Sequence, residues 1–327
     1  MNDIDHGDGL LRAFLLDGQG GGRELDWPQV HAWSPDQGLL WIHLNYGSPV
    51  AQRWLRDRSG LSSTQCDALL TSDTHPRLSA KNDGLLLTLR AINFNPGAEP
   101  EDMVSIRCWC DAYKIITLRY RRVYSLSELL NAVPDGVGPR HSGDFLSSLI
   151  TNIIHDVFVT IDAISETLDT LEETLITGFS TNLSGELAVV RREAIDVRRH
   201  IAPQREALFA LSREKLSWLT QENRDQLQEA VDRSTHVIEE LDLIRDRAAL
   251  AREEISRHLS EQLNRRLLFL SMITALFLPL SFVTGLLGMN VGGLPGLHNP
   301  YAFWLVVGIL LSVVTIEFAI LIRRKWF

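Results

Sequence analysis

Near its C-terminus the chain carries small hydroxyl side chains inside an otherwise apolar stretch, a pattern with the means to handle ions. Leu267 to Leu287 spans 21 positions without a charged residue, and Ser271, Thr274, Ser281 and Thr284 recur within it at spacings of three and seven. Wound as a helix at about 100° per residue, these four fall with Asn264, Leu278 and Gly285 in an arc of about 160°. The opposite side is Leu, Ile and Phe. Hydrocarbon gives no reason to gather hydroxyls on one face, whereas a water-lined pore or a helix–helix contact does, and both readings stay open here. Leu278 inside the arc is a candidate hydrophobic constriction that dewets when narrow. Directly after the run stands Gly288-Met289-Asn290. Asn290 offers a neutral carbonyl oxygen, and a ring of such groups can replace or hydrogen-bond the shell of a hydrated divalent cation. Gly288 lets the chain leave the helix there, and an ordinary Gly-Asn helix stop is the plain alternative. His298, the one titratable side chain of the following loop, is a candidate zinc or proton contact or else a solvated loop histidine.

The elements that must position these residues are two apolar runs. At ~1.5 Å per residue Leu267–Leu287 covers about 32 Å, enough for a ~30 Å hydrocarbon core. The second run, Tyr301 to Ile322, is of similar length with one charge, Glu317, and ends in Arg323-Arg324-Lys325. Asn264-Arg265-Arg266 precedes the first run, and Val291 to Pro300 between the runs holds no Asp, Glu, Lys or Arg. Basic flanks at both ends and an uncharged connection predict a hairpin with both termini cytoplasmic. Tyr301, Trp304 and Trp326 stand where aromatic belts form. Glu317, an intramembrane acid, is a candidate proton group, with snorkelling or pairing with Arg265 or Arg266 as the alternative. One hydroxyl-striped helix cannot enclose a pore, so conduction through it requires several copies of the chain.

The acidic, polar N-terminus, Met1-Asn2-Asp3-Ile4-Asp5, predicts no cleaved signal peptide. Residues 10 to about 130 read as α/β. Leu10–Leu16, Leu39–Leu44, Leu85–Ile92, Val104–Trp109 and Ile115–Tyr120 are short, apolar strand candidates, with helices at Pro49–Arg58 and Ser63–Leu70. The turn at Asp17 to Gly22 reads as a hairpin, because the Arg23 to Pro28 stretch after it opens no amphipathic helix of the kind a phosphate loop needs. From His141 the pattern is helical. Residues 144–177 carry apolar positions at spacings of three and four up to Gly178. A second helix, Leu183 to Ile201, stops before Pro203, and a third runs on to about Leu216. From Thr220 to Leu287 the only breaker is Pro279, which predicts one rod of about 100 Å. Its stripe of Leu227, Val231, Ile238, Leu241, Ala248, Ile255 and Leu259 reads as heptads interrupted by Arg245 and Arg252.

The net charge of −9 argues against a nucleic-acid partner. Between residues 150 and 177 Asp156, Asp162, Glu166, Asp169, Glu172 and Glu173 occur with no Lys or Arg, either a solvated face or an acidic lobe that concentrates cations. The cytoplasmic histidines His155, His200, His236 and His258 all fall on predicted helices, and His155 beside Asp156 is a candidate regulatory metal ligand or simply solvated. Three cysteines fit a reducing compartment, and Cys108 and Cys110 read as small buried residues sharing a strand face. No P-loop, nucleophile elbow or His-Glu-x-x-His pattern supports an enzyme, and no cofactor is implied.

A large α/β portion, a helix running into the first apolar segment, Gly288-Met289-Asn290 and a basic C-terminus resemble the CorA-type divalent metal transporters along essentially the whole chain. Within that family the chain is most similar to the bacterial ZntB-type zinc transporters, through Trp41-Ile42-His43-Leu44-Asn45-Tyr46, Arg198-Arg199-His200-Ile201-Ala202-Pro203-Gln204-Arg205 and Asn290-Val291-Gly292-Gly293-Leu294-Pro295-Gly296. The resemblance implies an inner-membrane, funnel-shaped homopentamer whose first spans line the pore and whose Gly-Met-Asn ring selects the ion. It implies Zn²⁺, or another divalent cation, moved together with protons. Magnesium-transporting members carry acidic residues just after the Asn, and this loop has none. The expected layout is a cytoplasmic α/β domain at 1–140, a helical stalk at 141–266, a pore-lining span at 267–288 and an outer loop at 289–300. A second span at 301–322 and a basic tail at 323–327 complete it. A CorA-type magnesium, cobalt or nickel channel and a non-conducting membrane-anchored sensor are the alternatives.

Overall fold

A computed structural model of the chain describes residues 8–99, 101–178, 182–289 and 299–323, without the side chains of 320–322. Two compact units result, Met1–Arg252 and Glu253–Phe327.

In the first unit seven strands form one sheet: β1 (Leu10–Leu16), β2 (Gly22–Glu24), β3 (Leu40–Asn45), β4 (Arg77–Lys81), β5 (Gly84–Ala91), β6 (Val104–Cys110) and β7 (Lys114–Arg119). Their spatial order is β2-β1-β3-β7-β6-β5-β4. Only β3 and β7 pair in parallel, with Ile42 opposite Ile116; the other neighbours are antiparallel. Side chains alternate across the sheet, and both faces are covered. Leu86, Trp109, Ile116 and Ile42 face α1 (Trp27–Ala32), α2 (Pro49–Asp57) and α3 (Ser63–Leu70), where Val30, Leu55 and Leu69 are buried with them. Leu85, Leu87, Cys108, Ile115 and Trp41 face the other way, toward α4 (Tyr124–Ala132), α5 (Ser142–Thr177), α6 (Leu183–Ser212) and the start of α7 (Gln221–Leu287). Trp41 anchors that layer, edge-on to Phe145 of α5 at 4.9 Å between centroids. Strands buried on both faces lose their polar alternation, which is why the five inner strands read as apolar runs. The polar edge strands β2 and β4 show no such signal.

Asp17 closes the β1–β2 hairpin by accepting the Gln19 and Gly21 N–H groups at 2.7 and 3.0 Å, as the turn reading expects. A short helix does follow Arg23: Asp26 and Gln29 form a reciprocal capping box, and Trp27–Ala32 is a helix of under two turns. It remains too short to be a phosphate-loop helix. Asn82 and Asp83, both at positive φ, make the two-residue β4–β5 turn. Gly84 after them is obligatory, since a Cβ there would lie 2.3 Å from the Trp109 ring.

Pro203 does not end a helix: α6 runs unbroken to Ser212. Pro203 removes one backbone donor, but Ile201, Gln204, Leu208 and Leu211 around it are buried. The Gln204 side chain also accepts the Arg90 N–H at 2.7 Å. Packing on both sides outweighs the missing hydrogen bond. α5 closes at Gly178, whose N–H bonds the Thr174 carbonyl at 3.0 Å. Cys108 and Cys110 are fully buried, and burial pushes the Cys110 thiol well above its ordinary range, consistent with packing. His43, also buried, accepts the Arg119 Nε–H at 3.0 Å through Nε2, so its Nδ1–H faces Thr117 Oγ1 at 2.9 Å.

Among the described residues three helices are long and apolar enough to cross a membrane by length and composition: α5, α7 and α8 (Ala302–Arg323). In α5 56% of the apolar window is buried inside the fold, so that helix spends its hydropathy on the core; for α7 and α8 the share is 0%.

Candidate functional site

Along α7 the burial pattern changes with position. Leu227, Ala230, Ser234, Val237, Leu241, Ile244, Ala248 and Ala251 are all buried, at gaps alternating three and four. The heptad is therefore unbroken through the first unit. Arg245 and Arg252 sit one residue beyond Ile244 and Ala251, off the seam, which corrects the interrupted register. Ile238 is only half-buried beside Val237, and Leu259 is 54% exposed. Arg245 reaches Asp242 at 2.8 Å, and Asp242 also takes Arg198 of α6 at 2.8 Å. Arg247 spans to α5, pairing with Asp169 at 2.6 Å and Glu172 at 2.5 Å. Those two carboxylates push its pKa upward. The acid-rich face of α5 is thus partly neutralised, while Asp162, Glu166 and Glu173 stay exposed.

His155 is exposed, and its neighbour Asp156 accepts the Ser125 hydroxyl at 2.7 Å while burial raises its carboxyl. Among the described residues no group of three or more His, Cys, Asp and Glu is arranged to hold a metal. His258 instead pairs with Glu254 at 2.9 Å. His200 is held near pKa 4, mainly by burial and then by the Arg90 charge.

In the second unit α7 carries the hydroxyl stripe as one continuous helix to Leu287. Ser271, Thr274, Leu278, Ser281 and Thr284 are all exposed, Leu278 at 65%. Thr274 donates its hydroxyl to the Leu270 carbonyl at 2.9 Å. Thr284 donates to Leu280 at 2.9 Å and Ser281 at 3.2 Å. With each proton turned onto the backbone, the outward face of these threonines is oxygen lone pairs, able to accept from water or meet a cation. Pro279 adds a further acceptor, because it has no N–H for the Ala275 carbonyl. At the helix end Gly288 still bonds the Thr284 carbonyl at 2.9 Å, and a Cβ there would lie 3.1 Å from that oxygen. Met289 follows, half exposed. Asn290 and His298 lie outside the described residues, so the stripe is placed on α7, Gly288 and Met289 directly after its end, and the last two members are not placed. Tyr301, just before α8, and Trp304 on it are exposed, and Phe303 packs edge-on to Trp304. The Glu317 Oε2 is buried without a hydrogen-bond partner, and no ion pair joins Glu317 to Arg265 or Arg266 among the described residues.

The fold is shared with solved structures of other proteins. Residues 36–324 match the family described as CorA-like Mg2+ transporter protein, and the chain belongs to that family. It is 40% identical, over the full length of both chains, to the divalent cation transporter CmaX of Pseudomonas aeruginosa. It is 33% identical, over 97% of this chain and 96% of the relative, to the zinc transport protein ZntB of Pectobacterium carotovorum. The solved structure of full-length CmaX superimposes with a TM-score of 0.86 at 39% identity, covering 98% of each chain. These relatives are named as transporters, not as enzymes. What sequence reading missed lies in the first unit: Arg90 and Arg107 stand inside strands that are otherwise buried apart from the half-buried Ser105, the one signal being a lone arginine in a largely apolar run.

Proposed function

We propose that the chain carries divalent cations across the bacterial inner membrane, zinc among them, inward and together with protons. In this reading it works as a homopentamer with both termini cytoplasmic. Residues 267–288 form the pore-lining span, 289–300 the outer loop and 301–322 the second span. Residues 1–140 and 141–266 are the cytoplasmic α/β domain and stalk. The observation that carries the reading is the exposed face of Ser271, Thr274, Ser281 and Thr284 on the charge-free end of a helix whose other end lies in the first unit's packed core. A membrane anchor needs no such face, and family membership supplies its use. Oxygen lone pairs along the stripe replace part of a cation's water shell, Leu278 forms the narrow apolar ring, and Gly288, Met289 and Asn290 form the outer selectivity site. His298 is assigned to the mouth and Glu317 to proton movement, both with metal or proton as ligand rather than any resident cofactor.

Zinc rests on the ZntB-like loop and on the relative named for zinc; the relative at 40% identity is named for divalent cations at large, which makes magnesium the second ion to assay. Zinc uptake into proteoliposomes tests the site. Asn290→Ala is expected to slow it at least tenfold, roughly 1.4 kcal/mol of lost barrier stabilisation. Uptake at the unaltered rate would remove Asn290 from the selectivity site.

A further inference from the structure

Arg90 on β5 and Arg107 on β6 form one wall of a cavity of about 290 Å³, which Arg121 completes after β7. Arg107 is 3% exposed. It donates to the Thr71 carbonyl at 2.8 Å and lies over the Tyr46 ring at 4.5 Å, yet its Nε is buried with no hydrogen-bond partner. Arg90 donates to the Thr74 and Met103 carbonyls at 3.0 and 2.6 Å and to the Thr74 hydroxyl. Every one of these acceptors is neutral. The nearby Asp73 is engaged by His75 and Arg77 instead, at 2.6 and 3.7 Å. Asp102, which also lines the cavity, is solvent-exposed. Among the described residues none of Arg90, Arg107 and Arg121 forms an ion pair.

Leaving the Arg107 guanidinium, and in part that of Arg90, out of water without a counterion is costly, and the chain as a whole is acidic, with a net charge of −9. Their planar, multi-donor heads match an oxyanion. Ser72 and Ser105 add hydroxyl donors to the lining. At ~30 Å³ per water the cavity holds about ten waters, more room than a monatomic anion uses. The Tyr120 ring, 71% exposed and edge-on to Tyr46 at 6.3 Å, offers a flat surface beside it.

We propose that this cavity binds a small phosphate-bearing anion, gripped by Arg107, Arg90 and Arg121 with the Ser72 and Ser105 hydroxyls. The phosphate comes either free or as a phosphomonoester. The site is independent of the transport reading and stands or falls on binding alone.

Titration calorimetry on the full-length chain in detergent, with inorganic phosphate and with adenosine monophosphate, tests this. Saturable binding of one site per chain is expected, weakened at least tenfold in Arg121→Gln and in Arg107→Lys. Arg121 is exposed, so its variant keeps the test valid if the buried Arg107 substitution fails to fold. Tighter binding of the monophosphate assigns the phosphomonoester; equal affinity assigns free phosphate. No saturable binding of either up to about 10 mM, beyond the weak millimolar range, would overturn the proposal. So would binding that Arg121→Gln leaves unchanged.

Discussion

Thr284 couples two features at the end of α7: its hydroxyl turns back onto the Leu280 and Ser281 carbonyls, and its own carbonyl takes the Gly288 N–H. Thr284→Val keeps the shape and removes the outward oxygen. It is expected to slow zinc uptake several-fold with unchanged helical circular dichroism, whereas Thr284→Ser should keep most of the rate. If the stripe serves helix–helix contact instead, valine will leave transport intact and the two variants will not differ. Titration is decided in the first unit. His43 is held near pKa 3, by burial first and Arg119 second, against an ordinary 6.5, and His200 near 4. As pH falls through about 6.5 the unfolded chain binds protons on both residues and the folded chain does not. Stability is therefore complete above pH 6.5 and drops from there toward pH 4. The slope is up to about 1.4 kcal/mol per pH unit for His43, and less for the half-buried His200 because solvent screens it. Denaturant midpoints at stepped pH should show this fall, reduced in His43→Gln. A flat profile from pH 6.5 to 4.5 would mean that His43 titrates normally. The hydroxyls were legible in the sequence because their neighbours are all apolar. The arginine-lined cavity was not, since its members come from β5, β6 and the loop after β7 and meet only through the strand order.

At the scale of elements, the register of α7 separates two kinds of residue that adjoin in sequence. Ile244 is 1% exposed on the seam, and Arg245 points off it toward Asp242 and Asp246. Ile244→Ala is expected to cost about 2–4 kcal/mol and Arg245→Ala no more than about 1 kcal/mol, measured by denaturant unfolding. Equal costs would restore the interrupted heptad. Reading the sequence located the five inner strands and every long helix, because buried runs and helical periodicity persist over many residues. It missed β2, β4, α1 and α4, which are short or polar, and it broke α6 at Pro203. There the deciding information was tertiary: the burial of Ile201, Gln204 and Leu208 around the proline. For α5 the structure decides what hydropathy alone does not, since its apolar face lies on the sheet beside Trp41.

For the whole molecule, the apolar halves of α7 and α8 are surfaces that a fold closed on itself would have hidden: Phe277, Leu278, Phe282, Trp304 and Ile316 are all more than half exposed. In the proposed reading a bilayer and further copies of the chain cover that surface together, lipid on the Leu and Phe sides and neighbouring copies on the hydroxyl side. α7 runs without a break from Gln221 to Leu287, so in the proposed layout of cytoplasmic domain, stalk and hairpin the stalk and the pore-lining span share one backbone. The proposed movement of divalent metal with protons through the assembled chain is tested most directly by uptake of zinc, with magnesium in parallel, into proteoliposomes of the purified chain, with and without an inward proton gradient. Zinc flux that rises when the gradient is imposed is the expected result. Magnesium flux indifferent to the gradient would contradict proton coupling, and no flux of either ion would contradict transport itself.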